Sequence, residues 1–240
     1  MPSTRKQELT LGRTGNHLLD RFPEEEFARL APSMVHVPLE LKQPLGETNQ
    51  PIRDVYFPTT AMVSMLVVME DGNEVETGLT GSEGLIGLSV ALGLASGLQK
   101  AICQSQGEAW RLPAPVFLEA LERSRPLDFL IRKYTAVLLR QTAQVVACNA
   151  LHPVAERLCR WLLMSHDRVG RDKFIMTQEF MGEMLGVRRQ TVAVVAGTLQ
   201  AAGLIRYSRG TILVLDRSGL EVASCECYGL IRALYERHLP

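Results

Sequence analysis

No stretch of this 240-residue chain approaches the roughly 20 apolar residues that a membrane helix needs, and the opening MPSTRKQELT is polar, without the apolar core of a secretion signal. A cytoplasmic protein without a membrane partner is expected. Cysteine is scarce: five residues, an odd number, stand at the irregular positions 103, 148, 159, 225 and 227. That argues against a disulfide framework and fits buried thiols in a reducing compartment. Excess charge is lacking too, since 26 basic and 26 acidic residues cancel. Also missing are the patterns of common catalytic sites. The histidines at 17, 36, 152, 166 and 238 never reach His-x-His spacing, and there is no GxxxxGK loop and no Gly-x-Ser-x-Gly elbow. No enzyme is expected. What remains is an ordinary globular composition, 46% hydrophobic and 22% charged, long enough for two domains with separate cores.

The charge is unevenly divided. Residues 1–149 hold 14 Lys and Arg against 17 Asp and Glu, whereas residues 150–240 hold 12 against 9, giving −3 and +3. This modest asymmetry fits a neutral or acidic domain joined to a basic one. After a helical segment, HLLDRFPEEEFARLAP, the first half alternates β-branched and apolar runs with turns at Pro44, Gly46, Pro58, Gly81 and Gly107. An antiparallel roll or jelly roll is expected. Asp71-Gly72 reads as a type I′ hairpin turn, which needs positive φ at both central residues.

From Pro113 the pattern becomes helical: APVFLEALERS, then a long helix started by Pro126. Along it Leu127, Leu130, Ile131, Tyr134, Leu138, Gln141, Val145 and Cys148 recur at spacings of three and four, an apolar seam. Its cover is the chain's own roll or a partner helix. The length of the helix between two domains favours a homodimer, with Leu127, Ile131, Tyr134, Leu138, Gln141 and Val145 as the seam. A break is expected at Asn149 to Pro153, because the residue before proline avoids the helical region.

Residues 176–195, MTQEFMGEMLGVRRQTVAVV, spell two short helices around one turn. Thr177 is placed to N-cap the first, beside Gln178, and Gly186 ends it. Arg188, Arg189, Gln190 and Thr191 then open a second helix whose Val192, Val195 and Leu199 face a core. In a helix-turn-helix, such a polar first turn enters the major groove, where Arg grips guanine and Gln grips adenine by paired hydrogen bonds. Gly203 marks the helix end, and LIRYSRGTILVL gives two apolar runs around Ser208-Arg209-Gly210, a wing that sets Arg206 and Arg209 beside the phosphates.

The order of roll, long helix, HPVAERLCRWLLM, helix-turn-helix and wing resembles the Crp/Fnr superfamily of bacterial transcription regulators. The resemblance is most specific at PVAERLCRWLL and TQEFMGEMLGVRRQTVAVVAGTLQAAGLI, and less so at DVYFPTTAMVSMLVVMEDG. It implies an α+β chain: a cyclic-nucleotide-binding-like β-roll (double-stranded β-helix) sensor at residues 16–125, a dimerisation helix and hinge at 126–150, and a winged helix-turn-helix at 151–240. It implies a homodimer on palindromic double-stranded DNA, contacting RNA polymerase if it activates. The family's Arg-Glu-Arg pattern in the reading helix is here Arg189, Gln190 and Val194, so a different DNA sequence is expected.

Cyclic-nucleotide binders of the family hold the ribose with a Glu and the cyclic phosphate with an Arg-Ser pair. Here Leu88 stands where the Glu is expected, and Gln99-Lys100 lie near the Arg-Ser position. Cyclic AMP recognition is not expected. An apolar effector among Leu85, Ile86, Leu88, Gln99 and Lys100, or a plain packed core, remains open, and no cofactor is expected.

The iron-sulfur members need an N-terminal cysteine cluster, whereas the first cysteine here is Cys103. His17 and His36 stand alone and read as structural rather than haem ligands. Cys225 and Cys227 fall in one expected C-terminal helix, DRSGLEVASCECYGLIRALYERHL, where alternate residues point apart and do not converge on a metal. The rival to a DNA-binding regulator is a non-catalytic dimeric scaffold or ligand-binding protein with a degenerate helix-turn-helix.

Overall fold

The computed structural model describes residues 9–239. It divides into two compact units: one runs up to Val63 and resumes over Thr80–Thr135, and the other combines Ser64–Leu79 with the chain from Ala136 onward.

The first unit is β-rich. The expected N-terminal helix is interrupted at Pro23, whose missing N–H and bulky ring cannot continue a helix. What forms is a 3-10 turn at Leu19–Arg21, then α1 (Glu24–Leu30), then a second 3-10 turn at Ala31–Ser33. Strands β1 (Val35–Leu39), β3 (Asp54–Pro58) and β7 (Gly107–Pro113) make an antiparallel sheet in the order β1-β7-β3. Its register is fixed by Val35 opposite Arg111 and by Phe57 opposite Trp110. β2 (Pro44–Gly46) pairs antiparallel with β6 (Lys100–Ser105). Alternate residues of β3 and β7 point inward, burying Val55, Phe57, Trp110 and Leu112. Phe57 meets Phe22 and Phe117 edge to face, with centroids 5.6 and 6.0 Å away. Phe117 comes from α2 (Ala114–Arg123).

Helix α3 (Arg125–Leu151) begins in this unit and passes into the other. Within the first unit its Leu127, Ile131 and Tyr134 are buried, and the Tyr134 hydroxyl accepts the Leu85 N–H at 3.2 Å. Gly84 must lack a side chain, because a Cβ there would fall 2.0 Å from that hydroxyl.

In the second unit, β4 (Met62–Val68, from Ser64) and β5 (Glu74–Thr80, up to Leu79) are the arms of a hairpin. The turn differs from the type I′ expectation. Met69 N–H bonds to Asn73 O at 2.8 Å across three residues, and of these only Gly72 has positive φ, at 84°. Asp71 is not among the positive-φ residues, and its carboxylate accepts the Asn73 backbone N–H, at 3.0 Å, a local bond that also holds its pKa below the usual range. The type I′ geometry appears instead at Arg209 and Gly210, with φ of 48° and 75°.

α3 ends at Leu151, and α4 (Val154–Val169) starts after Pro153, so the helix breaks where the proline demands it. Then follow β8 (Lys173–Ile175), α5 (Gln178–Leu185), α6 (Arg189–Ala201), β9 (Ile205–Ser208), β10 (Thr211–Val214), α7 (Arg217–Ala223) and α8 (Cys227–His238). The three strands form a sheet in the order β8-β10-β9. α4 buries Leu158, Trp161, Leu162 and Leu163 at the centre. The single C-terminal helix expected from the sequence is in fact two. Ser224 is extended, at φ −85° and ψ 158°, so residues 224–226 make a corner between α7 and α8.

No helix among the described residues is long and apolar enough to cross a membrane.

Candidate nucleic-acid interface

Thr177 caps α5: its Oγ1 accepts the Phe180 N–H at 3.1 Å, satisfying one of the donors that a helix start leaves free. Gly186 ends α5 at φ 63°, a left-handed position where glycine carries no Cβ penalty. The turn into α6 is tight. A Cβ on Gly182 would meet the Val187 carbonyl oxygen at 2.8 Å, so α5 and the turn approach as closely as they do only because Gly182 has no side chain. α6 then lays Val192, Ala196 and Leu199 on the core and turns Arg189, Gln190, Thr191 and Val194 outward. Val195 was expected in the core, but it is half-buried and Ala196 takes the inward place.

Behind α6, β9 and β10 form the wing, paired from Thr211 opposite Ser208 to Val214 opposite Ile205. Two bonds fasten it to the helices: the Tyr207 N–H donates to Gln200 Oε1 at 2.8 Å, and Gln178 N–H donates to the Tyr207 hydroxyl at 3.2 Å. Arg206 and Arg209 are exposed, as are Arg188, Arg189, Gln190, Thr191 and Thr177, while Gln178 is half-buried under Tyr207. Cations on the wing and on the opening turn of α6 suit a polyanion with readable base edges.

The β4–β5 hairpin lies against this motif. Gly72, Asn73, Glu74 and Val75 line one groove together with Glu179, Gly182, Gly186, Arg188 and Arg189. Val75 comes within 3.7 Å of where a Cβ on Gly186 would stand. Deeper in, Glu76 is buried and accepts bonds from Ser64 Oγ at 2.8 Å and from the Trp161 indole N–H at 3.0 Å. Burial pushes its carboxyl up to about 7, although Ser64, Trp161 and the charge of Arg160 oppose the shift. Nothing in the local pattern of β5 marks Glu76 as buried. Arg157 Nη2 donates to the Leu185 carbonyl, joining α4 to the end of α5.

The expected seam of α3 is corrected by burial. Leu127, Ile131, Tyr134, Gln141 and Val145 are all within their own chain's core, and Leu138 is half-buried. The apolar stripe that α3 leaves in solvent is a different one: Phe129, Ala136, Leu139, Ala143, Val146 and Ala150, with Arg132 among them. The expected effector residues all lie in the first unit. Leu85 and Ile86 are core residues, Leu88 opens a 3-10 turn at Leu88–Leu92, and Gln99 and Lys100 are half-buried at the start of β6. His36 packs on Trp110, with ring centroids 4.5 Å apart.

Comparison with known proteins agrees with this geometry. The sequence profile of the Crp-like helix-turn-helix domain matches residues 156–223. No curated protein sequence matches the chain. Among solved structures, FixK2 from Bradyrhizobium japonicum aligns with a TM-score of 0.69 at 16% identity, over 80% of this chain and 98% of that one. The CRP-family transcriptional regulator TTHB099 from Thermus thermophilus gives 0.66 at 17% identity, over 78% and 96%. The c-di-GMP-responsive global regulator CLP of Xanthomonas campestris gives 0.59 at 16%, over 80% and 99%. At such identities the structures speak for the fold, and the profile speaks for the domain. Residues 156–223 therefore form a Crp-like helix-turn-helix domain, set in a chain that shares the fold of these structures.

Proposed function

We propose that this protein is a homodimeric, sequence-specific DNA-binding transcription regulator rather than an enzyme, and that it acts in the cytoplasm. The observation that carries the reading is the exposed turn Arg188-Arg189-Gln190-Thr191 at the start of α6, flanked by the wing cations Arg206 and Arg209. Arg189 and Gln190 read base edges, and the wing holds phosphates. A partner copy docks on the exposed α3 stripe of Phe129, Ala136, Leu139, Ala143 and Val146, whose later members alternate spacings of three and four. Two-fold symmetry then sets two reading helices about 34 Å apart on a palindrome. If the protein activates, it also meets RNA polymerase.

Control comes from a signal other than cyclic AMP, because Leu88 offers no carboxylate for a ribose and Gln99-Lys100 replace an arginine clamp. The hairpin tip supports a route for that signal. Glu70, Asp71 and Glu74 put acid beside the groove that Arg188 and Arg189 line, so phosphates and the hairpin compete for the same cations. Selection from random duplexes tests the reading, followed by gel shifts over a salt series. Enrichment of one palindrome with a steep salt dependence is expected. Weak binding equal on every duplex would instead leave a dimeric scaffold. Calorimetric titration with cyclic AMP should give no heat, and tight binding would overturn the assignment of the signal.

A further inference from the structure

Three of the five cysteines and one histidine meet at the end of α3. Cys148 lies in the last turn of α3 and His152 follows its end, its N–H bonded to the Cys148 carbonyl at 3.0 Å, while Cys225 lies in the corner between α7 and α8 and Cys227 opens α8. The extended Ser224 breaks the helix on which the two thiols would have pointed apart. The four donor atoms lie within 4.8 Å of one another. Cys148 Sγ is 3.5 Å from Cys225 Sγ, and Cys227 Sγ is 3.6 Å from His152 Nδ1. All four residues belong to the second unit, and all fall outside the part of the chain that the family profile matches.

We propose that Cys148, His152, Cys225 and Cys227 form a structural zinc site of the Cys3His type. A tetrahedral zinc with ordinary bond lengths separates two sulfurs by roughly 3.8 Å and a sulfur from a nitrogen by roughly 3.6 Å. Both separations, 3.5 and 3.6 Å, are close to these edges. An iron-sulfur cluster spreads its thiolates over different irons and needs wider spacing than this. The site is closed: Cys148, Cys225 and Cys227 are buried, which suits a metal with four protein ligands and no open position.

The surrounding groups are those that a zinc site uses. His152 turns Nδ1 to the sulfurs and leaves Nε2 3.3 Å from a Glu226 carboxylate oxygen, the second partner that fixes a ligating imidazole. Gln144 Nε2 donates to Cys227 Sγ at 3.1 Å. Three thiolates, one neutral imidazole and Zn2+ carry a net charge of −1. The buried guanidinium of Arg160, beside Cys148, opposes it, and its Nε has no hydrogen-bond partner among the described residues. A zinc here clamps the helix break at His152-Pro153 to the C-terminal helices, which makes it a fixed point of the DNA-binding unit.

The test is elemental analysis of the full chain carrying no histidine tag, followed by cobalt exchange. One zinc per chain is expected, and the Co2+ form should show the intense visible bands of a tetrahedral site with thiolate charge transfer in the near ultraviolet. Cys227→Ser should lose the metal. Because that variant also risks misfolding, Glu226→Ala supplies an independent readout. Its side chain is largely exposed, and its loss should weaken zinc binding in chelator competition by roughly ten- to a hundredfold through His152. Metal-free protein with freely titrating thiols that takes up neither ion would overturn the proposal. So would labile sulfide with iron, a Cys148–Cys225 disulfide in the native protein, or an octahedral cobalt spectrum.

Discussion

Replacing Glu76 by Gln should change the pH dependence of stability in the second unit. The residue is 7% exposed, and its carboxyl titrates near 7 rather than at its ordinary 4.5. The unfolded chain releases this proton at about pH 4.5, whereas the folded chain keeps it to about pH 7, so the folded state binds more protons between them. Stability is therefore greatest below the window, falls as pH rises through it, and levels off above it. At about 1.4 kcal/mol per pH unit the fall amounts to roughly 3 kcal/mol. A glutamine amide cannot ionise, yet it can still accept from the Trp161 indole and donate to Ser64 Oγ. The variant should gain on the parent by up to about 3 kcal/mol between pH 4 and pH 8. Denaturant titrations at each pH would follow Trp161 fluorescence, in a Trp110→Phe background so that a single indole reports. Parallel stability curves for the parent and the Glu76→Gln variant would refute the buried, proton-holding carboxyl.

Four further outcomes are expected. Arg189→Ala should cost about 1 to 3 kcal/mol on the selected site and relax preference at one base position, while Arg209→Ala weakens all duplexes alike and lowers the salt slope by about one; equal loss on every sequence for both would remove Arg189 from base reading. Leu139→Asp places a charge in the exposed stripe of α3 and should shift the dimer to monomer at micromolar concentration in sedimentation, without lowering the melting temperature of the monomer. Gln141→Leu should stabilise the chain by about 1 to 2 kcal/mol in thermal unfolding, because both ends of the buried Gln141 amide lack a partner among the described residues. Gly182→Val should abolish DNA binding while leaving most helical circular dichroism, since its side chain forces the Val187 carbonyl and the start of α6 away from α5.

The helix-turn-helix was legible because its determinants are local. Thr177 caps within three residues, Gly186 takes a backbone conformation that few other residues adopt, and Val192 and Leu199 repeat at helical spacing. The two glycine-containing turns show where local reading stops. Asp71-Gly72 and Arg209-Gly210 both suit a two-residue hairpin. In the first, the Asp71 side chain bonds the backbone two residues on, its φ is not positive, and the loop is one residue longer. Arg209 accepts positive φ because the register of β9 and β10 leaves only two residues between them. The cysteine site was missed for a related reason. Periodicity runs through residues 215–238 without a proline or a strong stop, so nothing local announces that Ser224 is extended. Without that corner Cys225 and Cys227 diverge, and Cys148 and His152, 77 and 75 residues away from them in sequence, have nothing to meet.

The long helix shows a deeper limit, because α3 carries two apolar stripes and a period of 3.6 residues cannot say which one faces inward. Leu127, Ile131, Tyr134, Gln141 and Val145 make one; Phe129, Ala136, Leu139, Ala143 and Val146 make the other. The bulkier and more polar members lie on the first, and only tertiary contacts decide its place: Tyr134 receives the Leu85 N–H, and the Gln141 amide lies 3.6 Å from where a Cβ on Gly78 would be. Small residues on the second stripe allow two helices to approach closely, which suits a partner copy better than a large, irregular core does. The two faces have different duties in the proposed regulator. A ligand near Leu85 would act on Tyr134 from inside, while the partner copy reads the opposite side of the same turns. Such a ligand can shift the dimer only as far as its affinities for two arrangements of α3 differ. Substitutions on the inner stripe should therefore alter the response to signal at unchanged dimer affinity, and those on the outer stripe should do the reverse.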